Sequence, residues 1–188
     1  MQMKKGLHQL DASHTFLSFG MGSIGLFPLL VAIIPSTLAK TLHETTSTLL
    51  VQVPKDAYIL YSVGFGLLTI MFFLFYALKV NAKAKIIGVV IGLVVLFCFV
   101  DASQRYVRIA SDSVAFKHSL LSEPSEYKWE EVEKVVFREL PKEGGFAKFD
   151  FHFTDGNVMT VANDRYLKPY RKVLEKKFND DGIEYKRG

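Results

Sequence analysis

Residues 16–39 (FLSFGMGSIGLFPLLVAIIPSTLA) carry no charged side chain over 24 positions, and residues 57–78 (AYILYSVGFGLLTIMFFLFYAL) carry none over 22. A helix rises ~1.5 Å per residue, so about 20 apolar residues cross a ~30 Å hydrocarbon core, and both runs exceed that length. Nothing else in the chain restricts its fold as strongly, because a segment in lipid has to satisfy its own backbone hydrogen bonds, and one apolar run does so only as a helix. A third run, 86–100 (IIGVVIGLVVLFCFV), has 15 residues, a length that also suits a buried core helix. Its flanks extend it: Lys83 and Lys85 have stems long enough to snorkel at one end, and residues 101–104 finish the helix at the other. The expected spans are about 16–39, 57–78 and 84–103, within a transmembrane region of residues 1–104. A two-span topology, with the third run not crossing, is the alternative. A cleaved signal peptide is the competing reading of the first run, since Lys4 and Lys5 precede it, but the run is longer and starts later than an apolar region of ~7–15 residues would.

None of the three runs contains Asp, Glu, Lys, Arg or His. Proton relays, ion pathways and transport sites usually place such a group at membrane depth, so a carrier or pump is not expected. Gly88 and Gly92 stand at small-xxx-small spacing, which lets helix backbones approach closely, either within this bundle or between two copies in a homo-oligomer. Residues 20–25 (GMGSIG) match the dinucleotide fingerprint letter for letter, but no strand precedes them and they lie inside an apolar span, so they read as helix-packing glycines. Pro28 and Pro35 are expected to bend or end the first helix.

The chain has 49% hydrophobic residues and a formal charge of +4, and the excess charge lies wholly before residue 101: seven Lys and Arg against three acids there, 16 against 16 after it. A high isoelectric point therefore implies no nucleic-acid partner, since no basic face stands out in the C-terminal part. Three spans put the N-terminus and the C-terminal part on opposite sides. Lys4, Lys5, Lys79, Lys83 and Lys85 fall on one side; Lys40, Lys55, Arg105 and Arg108 fall on the other. With the Thr-rich first loop, 41–48 (TLHETTST), that balance leans toward an outside C-terminal domain in a multi-pass cell-membrane protein.

From Tyr106 onward the period becomes two. Val107 and Ile109 alternate with polar or small residues, 111–113 (SDS) reads as a turn, and Val114, Phe116, His118 and Leu120 alternate again, which predicts a hairpin. After 122–125 (SEPS), residues 129–137 (WEEVEKVVF) form another apolar-patterned segment, ended by Pro141 and by Gly144 and Gly145. In 146–161 (FAKFDFHFTDGNVMTV), Phe149, Phe151 and Phe153 share one face and Lys148, Asp150 and His152 the other, as a half-buried antiparallel strand requires. Asp155-Gly156 then predicts a type I′ hairpin turn, with the return strand over 157–161. Asp164 is placed to cap a helix starting near Leu167, whose stripe comprises Tyr166, Leu167, Tyr170, Val173, Leu174 and Phe178. Gly182 stops it, and 183–185 (IEY) add a short strand. Consecutive strands followed by one amphipathic helix make a curved sheet or barrel that the helix covers. The expected fold is thus an α-helical membrane part plus a β-rich C-terminal domain, residues 105–188.

The segment Trp129-Glu130-Glu131-Val132 leading into Val135-Val136-Phe137, the strand ending in Thr154-Asp155-Gly156 and the terminal amphipathic helix resemble the bacterial pleckstrin-homology-like (PH-like) domains of small membrane proteins, over about residues 106–185. The resemblance implies a seven-stranded antiparallel barrel with a C-terminal helix, no enzymatic activity and, commonly, a cytoplasmic position, against the lean of the charges. Eukaryotic namesakes bind phosphoinositides through a basic cluster on strands and loops. Here the first hairpin offers only Arg108, Lys117 and His118, interrupted by Asp112, which does not support inositide binding.

Catalytic signatures are missing. His8, His14, His43, His118 and His152 are scattered, Cys98 is the sole cysteine, and there is neither a nucleophile elbow nor a phosphate loop, so no metal, no cofactor and no catalytic residue is expected. Trp129 reads as a core anchor, His152 as a solvated side chain, and His118 as a core or rim residue. Arg165, Lys168, Arg171, Lys172, Lys176 and Lys177 read as a solvated helix face, diluted by Glu175, Asp180 and Asp181. Two functions remain. One is a non-catalytic binding or scaffolding module held at the membrane for a protein or lipid partner. The other is an accessory subunit or small membrane enzyme acting on anionic lipid at the bilayer interface, with Lys79, Lys83, Lys85, Arg105 and Arg108 as its contacts.

Overall fold

A computed structural model describes residues 2–139 and 145–187, with side chains from residue 13 onward; Pro141 and Gly144, expected to end a strand, lie outside the described residues. The chain divides into two compact units. One runs through Thr37 and resumes over Lys55–Ser103; the other takes Leu38–Pro54 and everything from Gln104 on.

The first unit is built from α1 (Gln2–His43), α2 (Lys55–Ala77) and α3 (Ala82–Gln104). All three are long and apolar enough to cross a membrane, with mean hydropathies of 2.1, 2.0 and 2.6. The third run, short by charge-free length, becomes a 23-residue helix once its polar flanks are added, about 34 Å at ~1.5 Å per residue. Neither Pro28 nor Pro35 ends α1, which continues to His43. In an apolar surrounding, breaking the helix would strand several backbone groups, a larger cost than the one bond each proline forgoes. Phe16 packs on Phe75 at 4.9 Å and Phe27 on Phe65 at 6.1 Å between α1 and α2, with a 2.9 Å hydrogen bond joining the Ser23 and Thr69 hydroxyls. Phe99 of α3 sits against Phe65 at 4.8 Å. The link from α2 to α3 is so tight that Lys79 and Val80 both adopt positive φ (49° and 52°), and the Asn81 side chain accepts the Ala84 N–H at 2.8 Å to start α3.

Among its described residues the second unit contains eight strands and a helix: β1 (Thr48–Gln52), β2 (Tyr106–Ala110), β3 (Ser113–Lys117), β4 (Ser125–Lys128), β5 (Val132–Arg138), β6 (Lys148–Phe153), β7 (Val158–Ala162), α4 (Arg171–Asp180) and β8 (Glu184–Arg187). They form two four-stranded sheets, in the orders β1-β2-β3-β4 and β7-β6-β5-β8. Neither sheet closes into a barrel, so the single closed barrel implied by the resemblance is replaced by two sheets with their own edges. A second difference lies in β1. The Thr-rich connector between α1 and α2 does not stay a loop: Leu50, Val51 and Gln52 pair antiparallel with Ile109, Arg108 and Val107 of β2, and Leu50 joins the core. Residues 38–54, assigned from sequence to the membrane region, thus cluster with the β unit.

The hairpin β2–β3 and the strand β6 form where the period-two reading places them, but in β3 Ser113 and the expected outer residue Ala115 are buried along with Val114 and Phe116. Phe149, Phe151 and Phe153 are buried while Lys148 is exposed, though Asp150 is buried too, held by Arg138 and by the Thr160 hydroxyl at 2.6 Å. Strand β3 stops at Lys117, short of the expected Leu120, and His118 is exposed. At the β6–β7 turn only Gly156 takes positive φ (87°), Asp155 does not, and the Gly156 N–H donates to Phe153 O at 2.9 Å. This is a three-residue turn closed by a left-handed glycine, not type I′; it spares Asp155 the strained conformation and frees its carboxylate for other bonds.

Trp129 is buried in a short 3-10 turn, donates from Nε1 to Ala110 O at 3.1 Å, and touches the rings of Phe151 and Phe178, as a core anchor should. Asp164 caps the next segment by accepting the N–H groups of Tyr166 (2.8 Å) and Leu167 (3.1 Å). Pro169 lies in a 3-10 turn, Lys168–Tyr170, so the regular helix begins at Arg171 rather than near Leu167. Leu167, Leu174 and Phe178 are buried, whereas Tyr166 and Val173 are exposed, a narrower stripe than expected. Gly182 (φ 69°) ends the turn, and β8 then pairs parallel with β5.

Candidate functional site

The basic residues expected at the bilayer interface form two groups. Lys79 stands in the α2–α3 turn, and Lys83 and Lys85 are exposed in the first turn of α3. Arg105 follows the last residue of that helix, and Arg108 lies in β2. The whole of α3 separates the lysines from Arg105, so the five do not make one anion site. Arg108 is also committed elsewhere. Register aligns it with Ala115 of β3 and, beyond that, Glu126 of β4, and its guanidinium reaches the Glu126 carboxylate at 2.5 Å, where the Ser113 hydroxyl also donates at 2.9 Å. A cation already paired across three strands has little to offer a lipid phosphate.

The two candidate packing glycines differ. A methyl group on Gly88 would lie 2.2 Å from a ring carbon of Phe75, so this glycine exists to let α2 and α3 meet, whereas one on Gly92 would meet nothing within 4 Å. Gly64 plays the matching role opposite Phe99, at 2.5 Å. Of the glycines at 20, 22 and 25, all within α1, only Gly20 packs closely, since a methyl group there would lie 3.2 Å from the Phe73 ring, whereas one on Gly22 or Gly25 would meet nothing within 4 Å.

Two of the α4 cations are engaged within their own unit, while Lys172 is exposed. Arg171 pairs with Glu175 at 2.9 Å and covers the Phe137 ring, while Lys177 pairs with Asp181 at 3.0 Å and covers Trp129. Among the described residues no group of three His, Cys, Asp or Glu could hold a metal ion.

Two constellations were not legible in the sequence. The Gln52 side chain pairs with the backbone of Ala162, donating to its O and accepting from its N, both at 3.0 Å. One primary amide thereby bridges the edge strand of one sheet to the edge strand of the other. The second gathers Tyr127, Asp155 and Asn157. The phenol donates to Asp155 at 2.6 Å, Asn157 Nδ2 donates to both, and the Tyr127 ring stacks on Phe153 at 3.9 Å. The Tyr127 hydrogen bond, followed by the Asn157 N–H, holds the Asp155 carboxyl below its ordinary value. Tyr127 sits in a four-residue strand whose alternation is too short to register, and Gln52 lies 110 residues from its partner.

No family model and no curated protein matches this chain.

Proposed function

We propose that the chain is a three-span membrane protein that holds a PH-like β unit at the bilayer surface as a non-catalytic binding or scaffolding module for a protein or lipid partner. The observation that carries this reading is the antiparallel pairing of β1 with β2. Strand β1 precedes α2 and β2 follows α3, so both connections have to lie on one side of any membrane the helices cross. Three spans satisfy that condition, because α2 and α3 leave and return. A two-span topology with α3 outside the bilayer would put the partner strands on opposite faces. The PH-like reading draws support from the order of elements, seven strands followed by α4, with β1 contributed by the interhelical connector and β8 added. The non-catalytic reading draws support from the use of the unit's polar side chains: Arg108, Gln52, Trp129, Asp150 and Tyr127 are all engaged in bonds within the unit's own framework of strands and turns.

Cysteine accessibility in sealed vesicles tests the topology. In a Cys98→Ala background, thiols introduced at Thr46 and Asn157 are expected to react with an impermeant reagent from the same side, and one at Gln2 from the other. Labelling of Thr46→Cys and Asn157→Cys from opposite sides would refute the three-span reading.

A further inference from the structure

Leu121 is the most exposed of the large apolar residues described, at 88%. It stands at the tip of a turn that is clipped shut: the Ser119 N–H donates to Ser122 Oγ at 2.9 Å, the Ser122 N–H donates to Ser119 Oγ at 3.1 Å, and the Ser122 hydroxyl donates to Ser119 O at 2.9 Å. The turn ties its two serines to each other and presents leucine outward, a poor arrangement for water and a suitable one for entering an apolar phase.

The position of the turn says which apolar phase. Lys117, the residue before the 118–124 loop, is the register partner of Tyr106, and its Nζ donates to Gln104 Oε1 at 3.1 Å; Gln104 is the last residue of α3. Tyr106 in turn stacks at 3.8 Å on His43, the last residue of α1. Phe146, 59% exposed, belongs to the same end of the unit. It lies two residues before Lys148, whose partner Ala162 is held by Gln52, three residues before α2 begins. Both apolar residues therefore lie at the end of the β unit that carries residues 38–43 and Gln104, where the His43 and Tyr106 rings also stack, and aromatic rings of this kind favour the headgroup zone of a bilayer.

We infer that Leu121 and Phe146 insert into the lipid leaflet from which the helices emerge, so that the β unit is seated on the bilayer by two apolar tips as well as tethered to it. This rests on reading the helices as spans. The test uses the full chain reconstituted in phosphatidylcholine vesicles, with Leu121→Trp and Phe146→Trp made separately; the buried native Trp129 supplies a constant background measured in the parent protein. Insertion predicts that the added emission is blue-shifted, is protected from iodide and loses at least half its intensity in vesicles of acyl-brominated lipid. Quenching by iodide with no effect of bromine would overturn the inference, as would indifference to both quenchers, which would mean that protein covers the tips. Protein extracted from the vesicles by carbonate would instead refute the spans themselves, so the two failures are distinguishable.

Discussion

Asp155 and Tyr127 illustrate how a single turn conformation propagates into chemistry. Because Gly156 alone takes the left-handed position, Asp155 can turn its carboxylate to the Asn157 N–H and to the Tyr127 phenol. Its pKa is lowered from 3.8, first by Tyr127 and then by the Asn157 backbone. A carboxyl whose folded pKa lies below its unfolded one contributes stability that is complete above the unfolded value and lost as pH falls through the folded value. Tyr127 is pushed the other way from 10.0, by burial first and then by its bond to Asp155, so its contribution is complete below the unfolded value and lost as pH rises through the folded one. Denaturation followed by the fluorescence of buried Trp129 checks the acid limb. The stability difference between the wild type and Asp155→Asn is expected to be constant from pH 7 down to about 4 and to shrink below it. A difference that does not change between pH 5 and 2 would show that the carboxylate is not what holds the turn. The Asp-Gly pair marks the turn in the sequence; the phenol that exploits it lies 28 residues away and carries no local signal.

At the scale of elements, legibility follows from whether a segment meets one environment or two. The apolar runs become helices long and apolar enough to cross a membrane, with no polar face to give them a second period, and β6 alternates because one face meets the core and the other the opposite side of the sheet. The glycines of α3 show the limit. Gly88 and Gly92 are equivalent as a spacing, but only Gly88 faces the Phe75 ring. Gly88→Ala is therefore expected to destabilise the α2–α3 pair by about 1–3 kcal/mol, the usual cost of overpacking, and Gly92→Ala to leave it unchanged. Thermal unfolding in detergent measures both. Equal effects would mean that the pair of glycines acts as one surface, as a contact between two copies would require.

At the scale of the molecule, a β unit that takes one strand from between two helices is a split domain. Removing residues 1–37 and 55–103, so that Pro54 is followed by Gln104, leaves residues 53, 54, 104 and 105 to join β1 to β2 as a hairpin loop of ordinary length. This shortened chain is expected to be β-rich and monomeric without detergent, with the Trp129 emission of the full protein. Residues 105–188 alone lack Leu50 in the core and the two Gln52 hydrogen bonds, and leave the edge of β2 open. They are expected to be less stable by about 2–5 kcal/mol from the leucine alone, and to aggregate. Equal stability of the two fragments, measured by denaturant unfolding, would mean that β1 is an ornament and the boundary near residue 104 is real.

The sequence by itself determined the three apolar helices, the strands of the C-terminal part other than β4, and the helix that follows them, because each is dictated by the solvent its own side chains meet within a few residues. The tertiary structure alone decided that Thr48–Gln52 is a strand, that two sheets form without closing, and which glycine, amide and phenol carry the contacts between elements. Those outcomes depend on partners tens of residues away. Five residues with one buried position have no period of their own, so they took their form from the unpaired edge of β2.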